Sequence, residues 1–177
     1  MLNPSSLKDI IQESLFEKQY PDNWEALSEG VTDYIAENLI LAGAYVGVLP
    51  TVPPMPDPLS GLYTWKPLSV VAPSGIAAIA SSGTGATVLA SFVSQLILGI
   101  NFGGQDDKKI VTLGSPAKLI QKVPFVLVPN TEFEVNMLNL ATGIISSIVT
   151  AIPLLPPVSP STSTSGGVGT TTFTVVV

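Results

Sequence analysis

The chain has 177 residues, a length suited to one domain, with 46% hydrophobic but only 11% charged residues and a net charge of −6. That balance excludes a disordered chain, which is poor in apolar residues and rich in charge. Cysteine, histidine and arginine are absent. Disulfides and thiolate chemistry are therefore excluded, as are imidazole bases or ligands and guanidinium clamps. The lysines are outnumbered by acids, 7 to 13, which leaves no basic footprint for nucleic acid.

Charge is also unevenly placed. Asp9, Glu13, Glu17, Asp22, Glu25, Glu29, Asp33 and Glu37 crowd the first stretch, Asp57 and Lys66 stand alone before Asp106, and residues 135–177 carry no charge. A solvated surface mixes charges throughout, so the pattern predicts that the chain keeps one end in water and packs the other against something. The opening residues lack a basic region before an apolar run, and no signal peptide is expected.

Residues 6–18 are predicted to form an amphipathic helix, with Ser6 as cap, Asp9 at the capping-box position, and Leu7, Ile10, Ile11 and Leu15 on one face. Tyr20-Pro21 ends it. Asp22 caps a second helix, expected to reach about Val46, with Trp24, Leu27, Val31, Ile35, Leu39, Ala42 and Val46 as its buried stripe. The proline-rich residues 48–61 exclude helix and read as a stiff, extended arm. Residues 62–71 form a strand interrupted at Pro67.

Residues 73–85 fit a short helix or a small-residue loop equally, and residues 86–100 are helical by period. The helix buries Val88, Leu89, Phe92, Val93, Leu96, Ile97 and Ile100, with Thr87, Ser91, Ser94 and Gln95 opposite. GGQDDKK, residues 103–109, is a turn leading to strands in IVTLG and KLIQKVPFVLVP, the latter bent at Pro124. Residues 134–152 return to helix, residues 153–169 form a Pro/Ser/Thr/Gly linker, and TTTFTVVV, residues 170–177, is a terminal strand. A helix followed by a proline-rich extension, a glycine turn and a strand occurs twice, a pattern compatible with duplication or simply with proline stopping helices.

The fold class is α+β: three or four helices on short, mostly antiparallel strands, with projecting proline-rich arms and a C-terminal strand. It forms a single domain divided into an acidic helical part (1–47), an arm (48–61), a mixed core (62–152), the linker and the strand.

Chemistry is sparse. Glu25, Glu29, Asp33 and Glu37 recur every four residues and stack on one helical face. Such a column reads as a solvated face or a contact for a basic neighbour, and it lacks the surrounding oxygens of a calcium site. Lys66 beside Ser69 is the nearest approach to a serine–lysine pair. SSGTG, residues 81–85, lacks the Gly-Lys-Ser/Thr of a phosphate loop. No enzyme activity, cofactor or metal is expected.

Two features point to assembly. The terminal strand carries Phe173, Val175 and Val177 and could complete its own sheet or add to a neighbour's. The arms, with Leu49, Val52 and Met55 in the first and Leu154, Leu155 and Val158 in the second, lose little entropy on docking. An acidic helical start, the arms TVPPMPDP and PLLPPVSP and the tail TTTFTVVV together resemble small virion proteins of tailed bacteriophages in whole-chain style. The resemblance implies a multi-copy role in a head, neck, tail or baseplate. Its expected partners are copies of itself and other virion proteins, without nucleic acid or membrane. The alternatives are a small membrane protein of holin type, since mean hydropathy is +0.49 and residues 85–104 are long and charge-free, or a transient assembly chaperone or scaffold.

Overall fold

Asn3 opens the first helix. Its side-chain oxygen accepts from Ser5 N at 2.9 Å and Ser6 N at 3.3 Å, and Pro4 takes the first helical position of α1 (Pro4–Phe16). Ser6, the predicted cap, lies inside the helix; an Asn followed by Pro was the better signal. Tyr34 Oη accepts from Asn3 N and donates to the Asn3 carbonyl, which ties down this end of the chain. In the computed structural model the described residues are 1–16, 22–81, 85–102, 110–111, 130–154, 161–162 and 167–176.

α2 (Asn23–Asn38) is capped as expected by Asp22, whose carboxylate accepts from Glu25 N at 2.8 Å. The predicted extension to Val46 is not observed. Leu39 turns to extended backbone and residues Leu41–Leu49 form strand β1. Leu39, Ala42 and Val46 fit a helical stripe, yet Leu41, Gly43, Tyr45 and Gly47 fit a strand face equally well, and Tyr, Val and Gly disfavour helix. The acidic helical part therefore ends before residue 47, and Val46 is exposed rather than buried.

The proline-rich arm folds back on the sheet. Within it β2 (Met55–Pro56) pairs antiparallel with the end of β1, Val48 opposite Pro56 and Leu49 opposite Met55. β3 (Gly61–Trp65) then pairs with the start of β1 along the same edge. Pro67 breaks the run as predicted, and β4 (Pro67–Val70) leaves to pair with β5 (Ile100–Phe102) in a separate two-stranded sheet. Between them lie α3 (Ile76–Ala80) and α4 (Gly85–Gly99). All seven apolar residues predicted for the face of α4 are buried, Ile100 as the first residue of β5. β6 (Ile110–Val111) is the described part of the IVTLG strand; the GGQDDKK turn and KLIQKVPFVLVP lie outside the described residues.

α5 (Phe133–Ala151) and a 3₁₀ turn (Ile152–Leu154) precede β7 (Ser161–Thr162) and β8 (Val168–Val175). β8 lies beside β1 over eight registered pairs, from Leu41 opposite Val175 to Val48 opposite Val168. The main sheet runs β2-β1-β8-β7-β6, with β3 also on β1, and every strand pair is antiparallel. Among the described residues, five α-helices, where three or four were expected, and mostly antiparallel strands give the α+β class. Of the two stretches compared as a repeat, the first passes from α2 directly into β1, while the second stays helical through Ala151; residues 155–160 lie outside the described residues.

One buried cluster joins the layers. Leu7 and Ile11 of α1, Leu27, Val31 and Ile35 of α2, Phe92 and Leu96 of α4 and Ile144 and Ile148 of α5 close over Leu41, Tyr45, Tyr63 and Trp65 on the inner sheet face. Near the centre of the sheet Gly47 stands opposite Gly169. A Cβ on Gly47 would land on the Tyr45 ring, and one on Gly169 would strike the Val46 carbonyl and Gly47 Cα as well as the edge of that ring, so the two glycines leave a slot for it. Through it Tyr45 Oη donates to Asp57 Oδ2 at 3.1 Å.

Asp57 is 2% exposed. Its Oδ1 accepts from Leu59 N at 2.9 Å, its own N donates to the Gly47 carbonyl at 2.9 Å, and a Cβ on Gly167 would collide with its carboxylate. This carboxylate thus secures β1, the β2–β3 connection and the start of β8 together. Asp57→Ala removes the acceptor of the Tyr45 hydroxyl and of Leu59 N–H, and a hydrogen bond to a carboxylate contributes about 1.5–3 kcal/mol. The expected result is a loss of about 3 kcal/mol in urea unfolding; a loss below about 1 kcal/mol would show that the carboxylate is dispensable.

On the surface, Glu134 of α5 accepts from Lys8 Nζ at 2.9 Å and from Gln12 Nε2 at 2.7 Å, and Phe16 meets Phe133 edge-to-face at 5.7 Å. The Lys8 hydrogen bond, then that of Gln12, holds the Glu134 carboxyl below its ordinary value, while Glu134 and then Asp9 raise Lys8. The carboxylate side of the pair is stabilising above the ordinary carboxylate range and is lost as pH falls through the depressed value. The ammonium side is present below the ordinary lysine value and is lost as pH rises through the raised one. NMR titration should find Glu134 below a free glutamate in the native chain and shifted back upward in Lys8→Met.

Candidate interaction surface

Alternation along β1 divides its side chains between two faces. Leu41, Tyr45 and Gly47 are buried toward the core, whereas Ala44, Val46 and Val48 are exposed on the outer face. The registers place their neighbours. Leu62 and Thr64 of β3 stand opposite Ala44 and Ala42, and Pro56 of β2 stands opposite Val48. On the other side, Val168, Thr170 and Thr174 of β8 stand opposite Val48, Val46 and Ala42.

Leu62 is 80% exposed, Val46 66%, Val168 58% and Val48 48%; Pro56, Thr64, Thr170 and Thr174 are exposed as well. No position on this face ionises. The nearest charges along these strands are the exposed Lys66, one residue beyond the end of β3, and the buried Asp57, one residue beyond the end of β2. An antiparallel sheet facing water on one side normally sets polar residues there, and contiguous exposed apolar surface marks an interaction site.

The first arm adjoins this face. Val52 is fully exposed, Met55 largely so, and Leu49 is half-buried at the end of β1. Leu154 ends the 3₁₀ turn, while Leu155 and Val158 lie outside the described residues. In the terminal strand, Phe173 stands opposite Gly43, Val175 is half-buried against the core opposite Leu41, and Val177 lies outside the described residues. The backbone of β8 is thus hydrogen-bonded to β1 of its own chain. Its other edge meets β7 only at Ser161 opposite Val168 among the described residues.

Glu25, Asp33 and Glu37 are exposed and Glu29 is half-buried on α2, and no ion pair reaches them among the described residues. Glu25 and Glu29 also rim a groove of about 460 Å³, with Asp22 and Trp24, against residues 72–77. Ser28 inside it donates to the Pro73 carbonyl at 2.6 Å, so this hydroxyl serves to join α2 to the chain after β4. Lys66 and Ser69 are both exposed with no hydrogen bond between them. Within SSGTG, Ser81 is the C-cap of α3 and Gly85 opens α4. Among the described residues no three acidic groups are placed to hold a metal ion.

α5 is long and apolar enough to cross a membrane by length and composition. It buries Ala141, Ile144, Ile145 and Ile148 in the core and exposes Leu138, Thr142, Ser146 and Thr150 every fourth residue, the pattern of an amphipathic helix. Comparison of the chain with family models, with curated proteins and with solved structures finds no match.

The outer face escaped sequence reasoning. Val46 is expected in a buried stripe, and Ala44, Leu62 and Val168 draw no notice. The available signal was period-two alternation in LAGAYVGVL, with glycines at 43 and 47 and no charge. If the outer residues contribute nothing to the core, Leu62→Ser and Val46→Thr will change unfolding free energy by no more than about 0.5 kcal/mol in dilute solution. Tyr45→Ala on the inner face will cost about 3–5 kcal/mol. Chemical denaturation of the three variants checks the contrast.

Proposed function

We propose that this chain is a non-catalytic structural protein of a multi-subunit particle, of the kind carried in the head, neck, tail or baseplate of tailed bacteriophages. It packs against neighbouring subunits through the outer face of its sheet. The observation that carries this reading is that uncharged face, which the described residues leave uncovered while the described helices take the other side. Pro56, opposite Val48, belongs to it, so the first proline-rich arm contributes from a folded-back position. Addition of the C-terminal strand to a neighbour's sheet is the less favoured contact, because β1 already fills one edge of β8.

The acidic column of α2 stays hydrated or meets a basic neighbour. Partners are copies of the chain and other particle proteins, and no cofactor is required.

A second reading, a small pore-forming membrane protein, draws on the length and hydropathy of α5. It would require α5 to leave a core in which Ile144 and Ile148 are fully buried. The chain is therefore expected in the aqueous phase after detergent phase separation. Mass spectrometry of purified mature particles should find it there in many copies each. Its absence from them would overturn the structural role and leave a transient scaffold.

A further inference from the structure

We infer that the outer sheet face is covered by a second copy of this chain, the two sheets stacking face to face about a two-fold axis. The inference rests on reading the chain as an assembly component and names its first partner.

Charge selects the occupant. Two copies at −6 each repel one another, so association is easiest where no charge lies. The paired residues of the outer face carry none. Of the acids in the first 37 residues, the described ones belong to α1, α2 or the Asp22 cap, and α1 and α2 pack on the opposite side of the sheet. Stacking outer face on outer face keeps those acids on the two far surfaces of the pair. It leaves Lys66 at the rim, where interfaces are polar.

A surface of valine, leucine, alanine and threonine is also compatible with itself, as a two-fold contact demands. Sheets of this composition pack with their mean strand directions roughly aligned and about 10 Å apart.

Area sets the strength. The β1–β8 register spans eight residues, about 26 Å at roughly 3.3 Å each, and three strands at about 4.8 Å spacing give about 14 Å of width. The footprint is therefore about 400 Å² per copy, near half of the roughly 800 Å² that each partner contributes to a standard stable interface. The contact is consequently reversible, and the dimer depends on concentration.

The test uses the full chain. Light scattering between about 10 μM and 1 mM, the range where weak dimers form, should show the mass rising from 18.4 kDa toward twice that value. A variant carrying both Val46→Lys and Leu62→Lys should stay at one chain mass with an unchanged circular dichroism spectrum. Because the chain has no cysteine, Ala44→Cys provides a single thiol in the middle of the face. A short bis-maleimide should link it into a covalent dimer, while Glu37→Cys on the acidic helix stays single. That result needs no disrupted face, so it decides even if the double-lysine variant fails to fold.

A constant mass of one chain overturns the inference. So does a larger mass that ignores the lysines while Ala44→Cys remains unlinked. In either case presence of the chain in particles would still uphold the structural role, through a different contact.

Discussion

The buried Tyr45–Asp57 hydrogen bond, made across the glycine slot of the sheet, is the contact on which the other features depend. A carboxylate at 2% exposure is costly unless it is hydrogen-bonded, and here the donors come from separate parts of the chain. Tyr45 lies on β1 and Leu59 belongs to the connection between β2 and β3, while Gly167 packs against the carboxylate at the entry to β8. The proline-rich segment is thereby folded against β1, and the C-terminal strand is positioned beside it. Gly47 and Gly169 belong to the same arrangement, since a Cβ on Gly47 would occupy the place of the ring and one on Gly169 would strike the β1 backbone and the ring edge.

With the sheet centred in this way, its inner face receives the described helices. α1, α2, α4 and α5 each contribute buried residues to the same cluster, and the acids follow the first two of them away from the outer face. The separation of charged and uncharged surfaces is thus a consequence of topology. Among the described residues, helices lie on one side, and the other side consists mostly of small and β-branched residues left exposed. A surface of that type is a liability for a solitary soluble chain and an asset for a building block.

The negative charge and the neutral face work together in this reading. Repulsion between acidic helices discourages indiscriminate association, while the flat face permits contact in one orientation. Specificity then arises from what repels as well as from what attracts.

Much was legible in the sequence where one signal dominated. The Asp22 cap, the break at Pro67, the buried stripe of α4 and the strand character of the tail each follow from local chemistry, and so does the α+β class. The residues from Leu39 to Leu49 were not legible, because their apolar positions fit both a helical and a strand period. Only pairing with β3 and β8 resolves them, and those partners are distant in the chain. The role of Asp57 was hidden for the same reason: a lone acid among prolines looks like a solvated turn until Tyr45, Gly47 and Gly167 surround it. Composition determined by itself which side chains were present to do chemistry and where charge was scarce. Tertiary structure decided which of the scarce-charge residues enter the core and which remain on the surface, because a strand's two faces are distinguished only by what packs against them.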